Sequence, residues 1–418
     1  MAPRLAVLAL GAACMLSGLD AALLRLGAWA PVGGEGASLS ARLSALHGPL
    51  MLVGFLSTLI ALERAVAARR AWAYLAPVGS ATGCLSLLLG APAPLGRGLA
   101  LAGSLVLLAV YHRVHRRAPA VAVDVEALGA VALVLGNLVW LLTPDDVTAA
   151  VPFWLLLPTL TIIGERLELA RVAFVDEVVE RSVQALALAA LLGVCLLGVL
   201  EAAHIVAGAA LLGLAVVMSW YDVARRTVRA RGPEMAGVRF MAASMLAGYA
   251  WLAVSGATWT LASLRGGGGP AYETVVHGLA LGFAFSMILA HAPTIIPAII
   301  HRRLPYHRAM WLPYALLHAG LAVRVAGLAA DAVTPWRVGG VLGVVAVLTF
   351  LAVAATRVLT GGALATGRGA GRATGRGKSL GGDRGESRGE DQSEGRGAGH
   401  PAETAQVAPP TAGAETTS

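Results

Sequence analysis

Ten histidines give this 418-residue chain its plainest capacity for chemistry, because imidazole ligates metals and moves protons near neutral pH. Their surroundings sort them. His112 and His115 stand in the basic segment YHRVHRR, and His301 and His307 in HRRLPYHR; all four read as solvated loop residues. His400 lies in a C-terminal stretch with almost no large aliphatic residues, and His204, near Glu201, reads as interfacial. His47, His277, His291 and His318 fall within long apolar runs, where an ionisable group is costly and is by default a functional candidate.

His47 and His277 each open such a run, and each is followed by a glycine, Gly48 or Gly278. Both runs start from the same side of a membrane, so the two rings sit at similar depth, and two such histidines can ligate one haem iron axially. Two interfacial histidines bonded to carbonyls or water would show the same pattern. His291 follows His277 by 14 residues, about 21 Å along a helix at about 1.5 Å per residue, so the two cannot share a metal. His291 and His318 can instead meet in the other half of the membrane as a second site, for copper or a proton path, or each is a singly hydrogen-bonded histidine.

Haem propionates need cations, and the arginine fork matches a carboxylate. Arg324, deep in an apolar run, must pair with something, a propionate or Asp20; Arg42 and Arg337 are propionate partners or surface charges in loops. Glu273, four residues before His277, either orients the imidazole or marks a helix start. Glu63 and Arg64 read as an interfacial ion pair. Cys14, Cys84 and Cys195 show no C-x-x-C spacing and read as small core residues, and without a C-x-x-C-H motif this chain offers no covalent haem attachment.

These side chains must be positioned by elements of an unusual composition. Hydrophobic residues make up 57% of the chain and charged ones 13%, about half the charge of a soluble domain. The bulk is Leu, Ala, Val and Gly with few aromatics, which favours helices in lipid over an outer-membrane barrel. A spanning helix needs about 20 apolar residues. Twelve stretches qualify, at 5–28, 43–66, 72–90, 96–112, 125–143, 149–164, 183–199, 202–221, 238–262, 273–297, 309–330 and 336–358. The expected fold is an all-α bundle of about twelve transmembrane helices in the inner membrane. The sixth stretch is short and holds Pro152 and Pro158, and Pro293 and Pro297 are expected to break the tenth.

The net charge of +8 is nearly all arginine, placed between the apolar runs, so it speaks for a lipid bilayer as partner and not for nucleic acid. Seventeen arginines fall in the connections after even-numbered stretches and four, Arg42, Arg97, Arg265 and Arg337, in the others. Basic residues stay cytoplasmic, so both termini are expected inside. A domain of 1–359 is followed by a Gly/Arg/Glu/Ser-rich tail, 360–418, whose composition predicts disorder. The first stretch is too long for a signal peptide, and Gly11 stands where a lipoprotein site before Cys14 would carry an aliphatic residue. Gly266–Gly269 reads as a flexible turn.

Three segments resemble the NnrS family of membrane proteins: HGPLMLVGF, with His47, Met51, Gly54 and Phe55; HGLALGFAFSMI, with His277, Gly282 and Met287; and YALLHAGLAVRVAGLAA, with Arg324. The resemblance implies haem and copper, and a role in nitric oxide metabolism or nitrosative stress. It departs at Pro49, where the family usually has a second histidine, which puts copper ligation in doubt. The layout also resembles subunit I of haem–copper oxidases, but the sixth and seventh stretches hold no histidine for a binuclear centre. A cofactor-free twelve-helix transporter is the competing reading, for which no clear internal repeat is visible. The electron donor is not legible.

Overall fold

The computed structural model describes residues 2–33, 36–143, 146–171, 176–264 and 269–360. The chain divides into two units, 1–365 and 366–418, of which only the first contains described residues. The predicted tail, Arg265 and Gly266–Gly268 lie outside them, apart from Thr360, which closes the last helix.

Among the described residues twelve helices are long and apolar enough to cross a membrane: α1 (Pro3–Arg25), α2 (Ala37–Ala68), α3 (Ala71–Leu88), α4 (Ala93–Arg117), α5 (Val121–Leu142), α6 (Val147–Arg171), α7 (Glu177–Cys195), α8 (Ala203–Tyr221), α9 (Ala236–Ala262), α10 (Gly269–Ile300), α11 (Arg308–Ala329) and α12 (Val333–Thr360). No strand occurs among the described residues. The protein is a multi-pass all-α membrane protein, because in lipid a helix satisfies its backbone polar groups within one segment. The even-numbered helices end, and the odd-numbered ones begin, at the face rich in arginine, called the basic face below.

Glycines set how closely consecutive helices approach. A Cβ on Gly103 of α4 would sit 2.7 Å from the Ala76 carbonyl of α3, and one on Gly208 of α8 would sit 2.7 Å from the Gly256 carbonyl of α9. Without hydrophobic drive inside lipid, such small-residue seams let backbones touch and gain dispersion contact.

Two sequence expectations are corrected. Helix α6 is not short: it runs on through Pro158 to Arg171 and is the most enclosed span, with 78% of its most apolar stretch buried against 33–56% elsewhere. It continues because Glu165 and Arg166, which read as loop, find partners on other helices. Nor do Pro293 and Pro297 break α10; both lie inside continuous helix. Its irregularity lies earlier, in a π-helical run at Gly278–Phe285, and α2 carries a matching run at Leu50–Ser57 just after Pro49. Such i→i+5 winding is rare and gathers at functional sites. The likeness goes further: both spans hold 32 residues, both place a Gly-Phe pair in the run, and both are closed by a left-handed residue, Arg69 or His301. This pairing of α2 with α10 is the internal similarity that the sequence hid.

Candidate functional site

Away from the basic face, α1, α2, α6, α10, α11 and α12 enclose a cavity of about 390 Å³. His47 and His277 both line it, with Arg25, Glu273 and Arg324. The depth matching read from the sequence therefore does bring the two histidines to one space.

Each ring is held by one nitrogen. His47 Nδ1 is 2.9 Å from the Gly18 carbonyl of α1, and His277 Nδ1 is 3.0 Å from the Glu273 carbonyl one turn back in its own helix. A carbonyl only accepts, so Nδ1 donates in both cases, and Nε2 keeps its lone pair. Neither Nε2 meets a protein partner among the described residues. This is the arrangement by which metal-ligating imidazoles are oriented.

The cations differ from expectation. Arg324 lines the cavity, pairs with Glu273 and keeps a buried Nε without a partner. Its partner is not Asp20, whose carboxylate accepts from the Val32 and Gly33 amides at 3.1 and 2.7 Å and so caps the turn after α1. Glu273 acts on His277 through its backbone; its carboxylate takes Arg324 and, at 2.6 Å, the Trp336 indole. Arg42 and Arg337 are not among the lining residues: Arg42 lies beside Gly90 and Arg337 beside Gly27, at two turns with positive φ. The second cavity cation is Arg25, which donates to the Ser44 carbonyl at 3.2 Å. It was legible only as the last basic residue of α1.

One wall of the cavity is the glycine strip Gly339, Gly340 and Gly343 of α12. A Cβ on Gly339 would strike the Arg324 backbone and one on Gly340 its guanidinium, so the first glycine lets α12 touch α11 and the second leaves the guanidinium its place at the wall. Toward the basic face, α1, α2, α10 and α12 enclose a second, almost wholly apolar cavity of about 270 Å³, with Thr58 as its one polar lining residue. Phe55, Phe285 and Phe350 line its end nearest the histidines.

The other histidines are engaged elsewhere. His318 accepts from the Trp251 indole at 3.1 Å through Nδ1, and its Nε2 stands 3.5 Å from Ser286 Oγ, so both ring nitrogens face protein. His291 Nδ1 is 2.7 Å from the Met287 carbonyl. No contact joins His291 to His318 among the described residues, and no group of three or more His, Cys, Asp or Glu there is arranged to hold a metal. His115 pairs with Asp124 at 2.7 Å, and His204 packs on Trp259. Cys14 and Cys84 are buried small residues that meet over Gly54; Cys195, by contrast, is exposed.

Two buried ionic groups gather on α6; the sequence reading gave Arg64 to Glu63, which is not its bonded partner among the described residues, and passed over the second group. Arg64 joins Glu126 and Glu165, and Arg166 holds Asp222 by two bonds of 2.8 Å, with Tyr249 donating at 2.6 Å. Burial pushes the Asp222 carboxyl up, but these bonds and the Ala224 amide outweigh it and hold it below its ordinary range. The available signal was acidic residues lying within, or at the end of, apolar stretches.

A family model covers residues 4–359 of this chain, the whole of the helical unit up to the end of α12. The chain belongs to that family, described as Domain of unknown function (DUF8744). No curated protein and no solved structure matches it.

Proposed function

We propose that this DUF8744 protein is a haem-binding protein of the inner membrane, with both termini cytoplasmic, that acts in nitric oxide metabolism or nitrosative stress as the NnrS-like segments imply. The observation that carries the reading is the convergence of His47 and His277 on one cavity, each with Nδ1 tied to a carbonyl and Nε2 free. The residues fit a non-covalent haem. Arg324, with its unpartnered Nε, and Arg25 supply cations for two propionates, and the glycine strip of α12 leaves a flat wall. His47 and His277 would hold the haem iron through Nε2, and the group so held would supply one-electron transfer.

The chain's own residues do the rest. The Gly18 and Glu273 carbonyls fix the tautomer of each ring, and the apolar wall of Leu19, Leu281 and Leu321 excludes water. Copper is left out of this reading, since Pro49 replaces the family's second histidine.

An absorption spectrum of protein purified from haem-replete cells tests it. The expected result is a Soret band with sharp α-bands on reduction. Folded protein without a chromophore would sink the proposal and leave a cofactor-free transporter.

A further inference from the structure

The basic half of the bundle holds a polar cluster that the haem reading does not use. On α6, Thr161, Glu165 and Glu168 recur at spacings of four and three, which puts them on one face of the helix. Arg64 of α2, Tyr111 of α4 and Glu126 of α5 meet that face. Arg64 Nη1 is 3.2 Å from Glu126 Oε2, its Nη2 bonds Glu165, and its Cζ lies 5.9 Å from the Tyr111 ring centre. Gly164 makes the room: a Cβ there would collide with Glu126 Cγ.

Exposure falls along this face. Glu168 is exposed, the Glu165 side chain is 26% exposed and that of Glu126 only 2%. Glu63 and Glu168 also lie within electrostatic reach of Arg64, so one guanidinium faces four carboxylates. Four bare charges against one cation do not balance away from water, and the deepest carboxyl, with a single ionic partner, is the costliest to leave ionised.

A second observation points to what the cluster holds. The hydroxyls of Tyr111 and Thr161, on residues 0% and 2% exposed, lie within reach of each other but make no hydrogen bond of ordinary length to the protein, and neither does Arg64 Nε. Buried orphans of this kind are costly, and a protonated carboxyl, which both donates and accepts, or a water beside it satisfies them. Other charged groups on these and the adjoining helices are committed elsewhere, Asp124 of α5 to His115 and Gln184, Glu180 of α7 to Arg171, and Arg166 of α6 to Asp222, while Arg113 of α4 keeps a buried Nε without a partner. Away from the basic face, the next two turns bring Leu107, Leu133 and Leu157, all fully buried.

We infer that Glu126 is the proton-holding residue of a second site, loaded from the basic face along Glu168 and Glu165 and closed toward the opposite face by leucines. The Glu126 carboxyl gives its proton to the Glu165 carboxylate through water, Glu165 passes it by way of Glu168 to solvent, and Arg64 takes up the carboxylate left behind. The site holds a proton and does not pass it across the membrane. It needs no cofactor, so it stands apart from the haem reading.

Infrared difference spectroscopy of the full-length protein in lipid nanodiscs, with the buffer switched in pH, tests this. The expected signal is the C=O stretch of a protonated, poorly hydrated carboxyl that exchanges with deuterium. Glu126→Gln removes it. Tyr111→Phe keeps it but changes its frequency and moves its titration midpoint by about one pH unit, the net worth of one hydrogen bond. No such band in the unmodified protein, or an unchanged band in folded Glu126→Gln protein, overturns the assignment. If Glu126→Gln does not fold, Tyr111→Phe and Gly164→Ala decide: a band unchanged in frequency and midpoint in both overturns it.

Discussion

Helix α2 reaches His47 ten residues after its start and α10 reaches His277 after eight; each then winds into an eight-residue π-run with glycine as its fifth residue, Gly54 or Gly282. The two are held in different ways. The His277 ring leans on a carbonyl of its own helix, so its orientation is local. The His47 ring leans on Gly18 of α1, so it keeps its orientation only while α1 and α2 stay packed. Two ligand positions of similar sequence thus carry unequal dependence on the rest of the fold.

Removing a ring is the largest perturbation. His47→Ala and His277→Ala should each abolish the same low-spin spectral component, because a lost axial ligand changes the spin state of the iron. If both leave the spectrum intact while His291→Ala or His318→Ala abolishes it, the site lies in the basic half and the comparison of α2 with α10 loses its meaning.

Gly18→Ala probes the unequal support. The new Cβ would lie 2.6 Å from Met51 Sδ, so the Met51 side chain must shift at the contact of α1 with α2 that orients His47. Haem affinity should fall about ten-fold, as for loss of an orienting partner, with the spectrum shifted. Glu273→Ala keeps the carbonyl that holds His277 and should leave the band positions where they are. Equal spectral shifts in the two variants would show that both rings rest on tertiary packing.

The propionate partners come next. Arg324→Ala should raise the haem dissociation constant about ten-fold, the value of a charge-assisted hydrogen bond, and Arg25→Ala less, with band positions kept in both. Arg42→Ala and Arg337→Ala should change nothing measurable in haem titrations, since neither residue lines the cavity. A loss at Arg42 equal to that at Arg324 would place the propionates elsewhere.

The smallest effects concern the chain end. Deleting 365–418 should leave yield, melting and any cofactor content unchanged, because the family match and the last helix end at 359 and 360. A reporter active only outside the cytoplasm, fused after Thr360, should stay silent, and a strong signal would reverse the orientation.

Much of this molecule is legible in its sequence alone. Hydropathy is a local property, so the runs beginning near residues 5, 125 and 336 announce their helices directly. Depth is legible too: a fixed rise per residue and a shared direction are enough to pair His47 with His277 and to separate His291 from both. Tertiary structure decides which charges meet. Spacing cannot say that Arg25, at the end of α1, reaches the cavity while Arg42 and Arg337 turn to loops, because the packing of α1 against α2 settles it. Nor can it say that Glu273 serves His277 through its backbone and Arg324 through its carboxylate. The pairs made by Glu126 and Asp222 with Arg64 and Arg166 lie 62 and 56 residues apart in the chain. A charge in an apolar helix announces that a partner is needed, but only the packed bundle, where desolvation makes an unpaired charge untenable, names it.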